Sequence, residues 1–355
     1  MSAMPPLTLF LCGDVMTGRG IDQVLPHPGD PTLYEPYMTD AEGYVALAER
    51  ANGPIPRPVG FDYIWGDALA VLEAAKPDLR LINLETAVTA GGAPWPGKGI
   101  HYRMHPANTP CLTAAGLDGC VLANNHVLDW GRPGLEETLR TLSDAGLATA
   151  GAGADGEAAR APAVFPVPGG GRLLVFAFGL GDSGIPDDWA ATSGQSGVNR
   201  LPDLSARTVA AVADTVAAWR REGDRVLASI HWGGNWGYAI PEAHRNFARG
   251  LVREAAVDLV HGHSSHHAKA IEVIDGRLVL YGCGDFLNDY EGISGHEAYR
   301  DDLTFIDLPS LGPDGCLQSL RLVPMQIHRF RLRHAEAADA AWLKAVIDRE
   351  GRPFG

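Results

Sequence analysis

A chain of 355 residues has room for one large α/β domain or two smaller ones, and its 46% hydrophobic and 20% charged content is that of an ordinary soluble globular protein. Forty-three acidic against 29 basic residues leave a formal net charge of -14, which repels phosphate backbones and argues against nucleic acid as a partner. The five cysteines (Cys12, Cys111, Cys120, Cys283, Cys316) are odd in number and lack C-x-x-C spacing, so neither a disulfide framework nor a thiolate zinc site is expected and a cytoplasmic location fits.

The first residues, Met-Ser-Ala-Met-Pro-Pro, carry no basic segment and no long apolar run, so neither a secretion signal nor a membrane anchor is expected. Residues 7 to 12 read as a buried strand ending at Gly13-Asp14. Residues 23 to 65, rich in Pro, Gly and Tyr, read as a long loop insertion that forms part of the substrate site. A helical pattern over 68 to 75 leads to a strand over 78 to 85 that delivers Glu85. A helix over 108 to 115 and a strand over 119 to 123 then deliver Asn124-Asn125-His126, and a further helix starts near Pro133. Strand 173 to 178, a polar loop, helix 204 to 221 and strand 226 to 230 lead to His231-Trp232. Helix 241 to 255 and strand 257 to 260 lead to "VHGHSSHH". A hairpin turning at Asp275-Gly276, apolar runs over 303 to 308 and 318 to 330, and a helix over 335 to 349 close what reads as a single domain spanning 1 to 355.

Open α/β sheets place ligands beyond the carboxyl ends of their strands, so these five strand ends are expected to converge. Asp14, Glu85, Asn125, His231 and His263 then supply two carboxylates, one amide oxygen and two imidazoles. That mixed hard and borderline set suits one divalent ion, and its oxygen content lets Ca²⁺, Mg²⁺ or Mn²⁺ compete with Zn²⁺; no organic cofactor is indicated.

The same stretches, "GDVMTGRG", "NLET", "LANNHVLDWG", "HWGGNWGY" and "GHSSHHAKAIEVIDGRLVLYGCGDF", occur in an order that resembles CapA-type poly-γ-glutamate synthesis proteins. That family is similar to the calcineurin-like metallophosphoesterases, and the resemblance implies a four-layer αββα sandwich with a metal at one rim. Three positions depart from a phosphatase, the first being Asn83-Leu84-Glu85 where those enzymes carry Gly-Asp-x-x-Asp with a bridging carboxylate. Met16 stands where the second residue of an Asp-x-His pair binds metal, and Ser265 stands where Gly-His-x-His has its second histidine. A thioether is a poor ligand for a hard ion, so one metal is expected rather than two.

With one metal, spare histidines become acids and bases. His126 is a candidate with Asp14 or Asp129 as partner, His266 with Asp285, and His296 with Asp301 or Asp302 nearby in sequence. His261 and His267 read as structural. Arg19 offers a fork for a substrate carboxylate or an internal ion pair, and Trp232 and Asn235 are candidate substrate contacts. The expected substrate is a peptide or amino-acid polymer. The resemblance extends to the branch that epimerises a residue of a lasso-peptide precursor, which implies L-to-D inversion by two His/Asp pairs. Amide (γ-glutamyl) or phosphoester hydrolysis and a non-catalytic role in polymer assembly are the alternatives.

Overall fold

The computed structural model describes residues 5–354. Strands Leu7–Phe10 and Asp14–Val15 form one interrupted line through the middle of the first sheet. On one side lie the parallel strands Leu79–Leu84, Gly119–Val121 and Ala148–Ala150. On the other, Leu303–Leu311 runs antiparallel to the first half of the line, while Asp285–Leu287 runs parallel to the second half. Strands Leu317–Ile327 and Leu332–His334 complete that side. The second sheet has the order Ile271–Ile274, Arg277–Leu280, Leu259–His263, Arg225–His231, Arg172–Gly179, Ala163–Pro166, with four parallel strands between antiparallel edges.

Side chains on alternate faces of each sheet divide the core into layers. Leu9, Leu81 and Val121 of the first sheet meet Leu173, Leu227 and Leu259 of the second. The far face of the first sheet, with Phe10, Ile82 and Cys120, packs on Trp65, Leu72, Leu112 and Leu135 from its covering helices. The far face of the second, with Phe176, Ala228 and Val260, packs on helices Ala206–Trp219 and Glu242–Arg253 through Val209, Val212 and Phe247. The result is a four-layer αββα sandwich. Arg225–His231 and Leu259–His263 are covered on both faces and buried along their whole length, so their apolar residues show no alternation and their polar ones, Ser229, His231, His261 and His263, are enclosed with them. Among the described residues no helix is long and apolar enough to cross a membrane.

Most elements fall within a few residues of the sequence reading. The segment 23 to 65 differs, because it contains helix Glu42–Asn52, whose Tyr44, Val45 and Ala48 are buried. That stripe is short and set between Pro- and Gly-rich flanks, so its period is hidden. The short strands Ala148–Ala150 and Ala163–Pro166 also carry too few residues to show alternation.

Gly13 lies where the first sheet's central line is interrupted. A Cβ there would stand 1.7 Å from the carbonyl oxygen of Gly284. Both contacting atoms are backbone, so the chain must separate to admit even one methyl group. Gly13→Ala should destabilise the protein by about 3 kcal/mol, the upper end of the cost of overpacking; a urea midpoint unchanged from wild type would show that the crossing relaxes freely.

Candidate metal centre

Strand register brings the polar strand ends together. Asp14 is the register partner of both Asn83 and Asp285, and His231 is the partner of His263. Asn83 Nδ2 donates to Asp14 Oδ1 at 2.7 Å, and the Ser264 backbone N–H donates to Asp14 Oδ2 at 3.1 Å. His263 Nδ1 is 3.7 Å from Asp14 Oδ1 and 2.8 Å from His231 Nδ1. On the far side of His231, Nε2 is 3.1 Å from Asn125 Oδ1 and 3.8 Å from Glu85 Oε1. Asp14, His231 and His263 each offer a ligand atom within 4.8 Å of the others.

A chain of hydrogen bonds fixes which imidazole nitrogen is free. His261 Nε2 is 2.8 Å from the Cys12 carbonyl, which can only accept, so Nε2 carries the proton. His261 Nδ1 therefore accepts the Ser229 hydroxyl at 3.0 Å, and Ser229 Oγ, its hydrogen committed, accepts from His263 Nε2 at 2.9 Å. His263 Nδ1 is left unprotonated, its lone pair facing Asp14 and His231 Nδ1. Burial keeps these rings neutral: it holds His261 down to about 4, the Cys12 bond opposing, and holds His231 and His263 well below the usual imidazole range.

Burial, reinforced by Asp285, pushes Asp14 up to about 7, and burial together with Asp14 pushes Glu85 well above the usual carboxylate range. Glu85 Oε2 is buried without a hydrogen-bond partner. An orphaned carboxylate oxygen, a lone pair with its tautomer fixed and an amide oxygen are together a donor set that fits a divalent cation, whose charge would reverse the upward shifts. Two of the positions that depart from a phosphatase, Met16 and Ser265, offer no further donors, since Met16 Sδ accepts from the Tyr290 hydroxyl at 3.7 Å and Ser265 Oγ donates to the His267 carbonyl at 3.0 Å.

Two His/Asp pairs flank this cluster. His126 Nδ1 is 2.6 Å from Asp129 Oδ2, not paired with Asp14, and its Nε2 is 3.8 Å from Glu85 Oε1. His266 Nδ1 is 2.8 Å from Asp285 Oδ1, and Asn288 Nδ2 donates to the other carboxylate oxygen at 2.8 Å. The Tyr102 ring packs on His126 at 4.6 Å and the Tyr290 ring on His266 at 5.3 Å, and their hydroxyls meet at 3.2 Å.

Other candidates stand elsewhere. Arg19 takes the ion-pair alternative: it is buried against Glu35 and Asp289 with Tyr44 and Tyr102 over its guanidinium. Trp232 lies in the core, stacked on His244 and donating to the Tyr281 carbonyl. Asn235 is exposed and contributes its carbonyl to the His266 N–H at 3.0 Å. His296 is exposed and stacks on Trp236 at 3.9 Å, and no ion pair joins it to Asp301 or Asp302 among the described residues. His267 is buried against Tyr238 and Tyr299. The sequence reading missed Ser229, which has no distinguishing pattern, and Lys98, whose one signal is its placement between two glycines.

Comparison with known proteins places this geometry in context. Residues 8–290 match the family model described as "Bacterial capsule synthesis protein PGA_cap". The chain is 49% identical over 351 residues to a probable polyglutamine synthesis accessory protein of Mycobacterium tuberculosis, covering 98% of this chain and 92% of that one. It is 23% identical over 283 residues to the capsule biosynthesis protein CapA of Bacillus anthracis, covering 80% and 60% respectively. Among solved structures it is similar to a phosphatase from Mycoplasma pneumoniae, with a TM-score of 0.50 at 11% identity over 91% of this chain and 94% of that one, a likeness of fold.

Titration calorimetry should find one divalent ion per chain. Ser229→Ala, which cuts the hydrogen-bond chain behind His263, should weaken binding about 10- to 100-fold, the usual effect of losing such a support; undiminished affinity would remove it from the centre. A second expectation concerns acid. A histidine held near 4 when folded and titrating near 6.5 when unfolded leaves stability intact above pH 6.5 and removes it as pH falls towards 4, by about 3 kcal/mol for His261 alone. In metal-free protein His261→Asn should flatten the fall in urea midpoint across that window, and a parallel fall in both proteins would contradict it.

Proposed function

From the premise that the chain belongs to the bacterial capsule synthesis protein family, we propose that it is a metal-dependent acid/base enzyme that acts on a peptide or amino-acid polymer and inverts a residue at its α-carbon. Asp14, Glu85, Asn125, His231 and His263 would hold the ion, which when bound polarises a carbonyl as a Lewis acid. The polymer class rests on the 49% identical relative, a probable polyglutamine synthesis accessory protein.

The observation that carries the reaction type is the pair of similarly built His/Asp units. In each, the carboxylate takes Nδ1, which leaves Nε2 for the substrate. Their charges are opposed. Burial and the Lys98 ammonium hold His126 down to about 4 against the pull of Asp129, so it is a neutral base at pH 7. Burial would also lower His266, but Asp285 outweighs it and raises the imidazole, which favours the protonated acid. His126 Nε2 takes the α-proton as the C–H bond breaks and its electron pair moves into the adjacent carbonyl. His266 Nε2–H returns a proton to the opposite face. Both side chains are 10% exposed, which lets them exchange protons with water and reset. The absence of phosphatase-type ligands at Met16 and Ser265 weighs against phosphoester hydrolysis.

Incubation with glutamate- or glutamine-containing peptides in D₂O should add one deuterium at an α-carbon without loss of chain length, measured by mass spectrometry and chiral amino-acid analysis. His126→Gln and His266→Gln should each lower the rate about 10²- to 10⁴-fold. Shortened peptides without α-deuterium would replace this reading with amide hydrolysis.

A further inference from the structure

We infer that Lys98 is a positioning residue that locks the His126 base to the Asn125 metal ligand, an assignment that rests on the acid/base reading above. The Lys98 ammonium donates to Asp129 Oδ1 and to the carbonyl oxygen of Asn125, and it stands 3.0 Å from His126 Nδ1. It thus holds the carboxylate that orients the base and the backbone of the ligand beside it. Trp189 stands 5.3 Å from Nζ and offers its ring face to the charge.

The approach of Lys98 is built into its loop. Gly97 turns the chain at φ 76, and a Cβ at either Gly97 or Gly99 would meet no atom within 4 Å. Packing therefore does not require these glycines; the backbone turn at Gly97 does. The loop is fastened on both sides of Lys98 to the residue that Lys98 itself binds. Trp95 N–H donates to the Asp129 carbonyl at 2.8 Å, and Tyr102 N–H donates to Asp129 Oδ2 at 2.7 Å. Asp129 Oδ2 therefore accepts from both Tyr102 and His126 while Oδ1 accepts from Lys98. With both oxygens engaged, the carboxylate cannot rotate away, and His126 keeps its proton on Nδ1.

The test compares Lys98→Met, Lys98→Arg and the double variant Lys98→Met/Asp129→Asn, which leaves no unpaired buried charge if the single change fails to fold. In full-length protein loaded with Ca²⁺ or Zn²⁺, ¹⁵N NMR of His126 should show the Nδ1–H tautomer in wild type. It should show loss of that single form in Lys98→Met and its retention in Lys98→Arg, while the double variant, which also lacks the Asp129 carboxylate, sets the spectrum of a fully released ring. Turnover of the deuterium-exchange peptide should fall about 10²-fold in kcat with KM within about twofold, the cost of a base displaced by roughly 1 Å. Methylammonium should restore part of the rate to Lys98→Ala. An unchanged His126 spectrum in a folded Lys98→Met protein, or no rescue and no preferential loss in kcat, would overturn the inference. If wild type turns over no peptide, the acid/base reading falls, and the NMR comparison still decides the role of Lys98.

Discussion

The burial of carboxylates at the strand ends governs the rest of this structure. Asp14, Glu85, Asp129, Asp285 and Asp289 lie in one rim, each at most 2% exposed, and an ionised carboxylate out of water persists only when another charge or several N–H donors compensate it. The chain provides those partners one by one. Arg19 serves Asp289 and Glu35, Lys98 and His126 serve Asp129, and His266 serves Asp285. Asp14 has two neutral hydrogen-bond donors, Glu85 keeps one oxygen without any partner, and among the described residues neither has a side-chain cation paired to it. Two uncompensated carboxylates beside two neutral imidazoles are the electrostatic complement of a divalent cation.

The same accounting explains why a phosphatase-like architecture need not perform phosphatase chemistry. Similarity to the Mycoplasma phosphatase concerns the path of the chain. At the rim, the space beside Asp14 is given over to Asp285, Asn288 and His266, tied by hydrogen bonds, while Met16 and Ser265 turn their side chains to Tyr290 and to a backbone carbonyl. A hydrogen-bonded His266–Asp285 pair lies beside Asp14, and this is the arrangement on which the proposed proton-transfer reading rests.

The layered α/β fold was legible because its central strands are buried on both faces and its helices are long and amphipathic. The strands read at 226 to 230 and 257 to 260 could be found from their apolar content, whereas Ala148–Ala150 could not, being too short for any period. Polar residues at successive strand ends pointed to the rim because topology sends parallel strand ends to one side. The supports of those residues were not legible. Ser229 matters through two imidazoles reached across neighbouring strands, and Lys98 through a loop that folds back on residue 129. Such roles belong to contacts between distant segments and leave no spacing to read. Arg19 shows the converse: a residue type suited to a ligand is consumed by internal charge balance, and nothing beside it in sequence announces Glu35 or Asp289.

The parallel pairing of Asp14 with Asp285 has a consequence for how the protein folds. The two halves of the rim lie far apart in sequence, so no local folding event can finish it. The Asp14 N–H meets the Gly284 carbonyl, and Gly13 is covered by the same backbone, only when this long-range pairing forms. Completion of the rim is therefore tied to closure of the whole sheet and not to any single supersecondary unit.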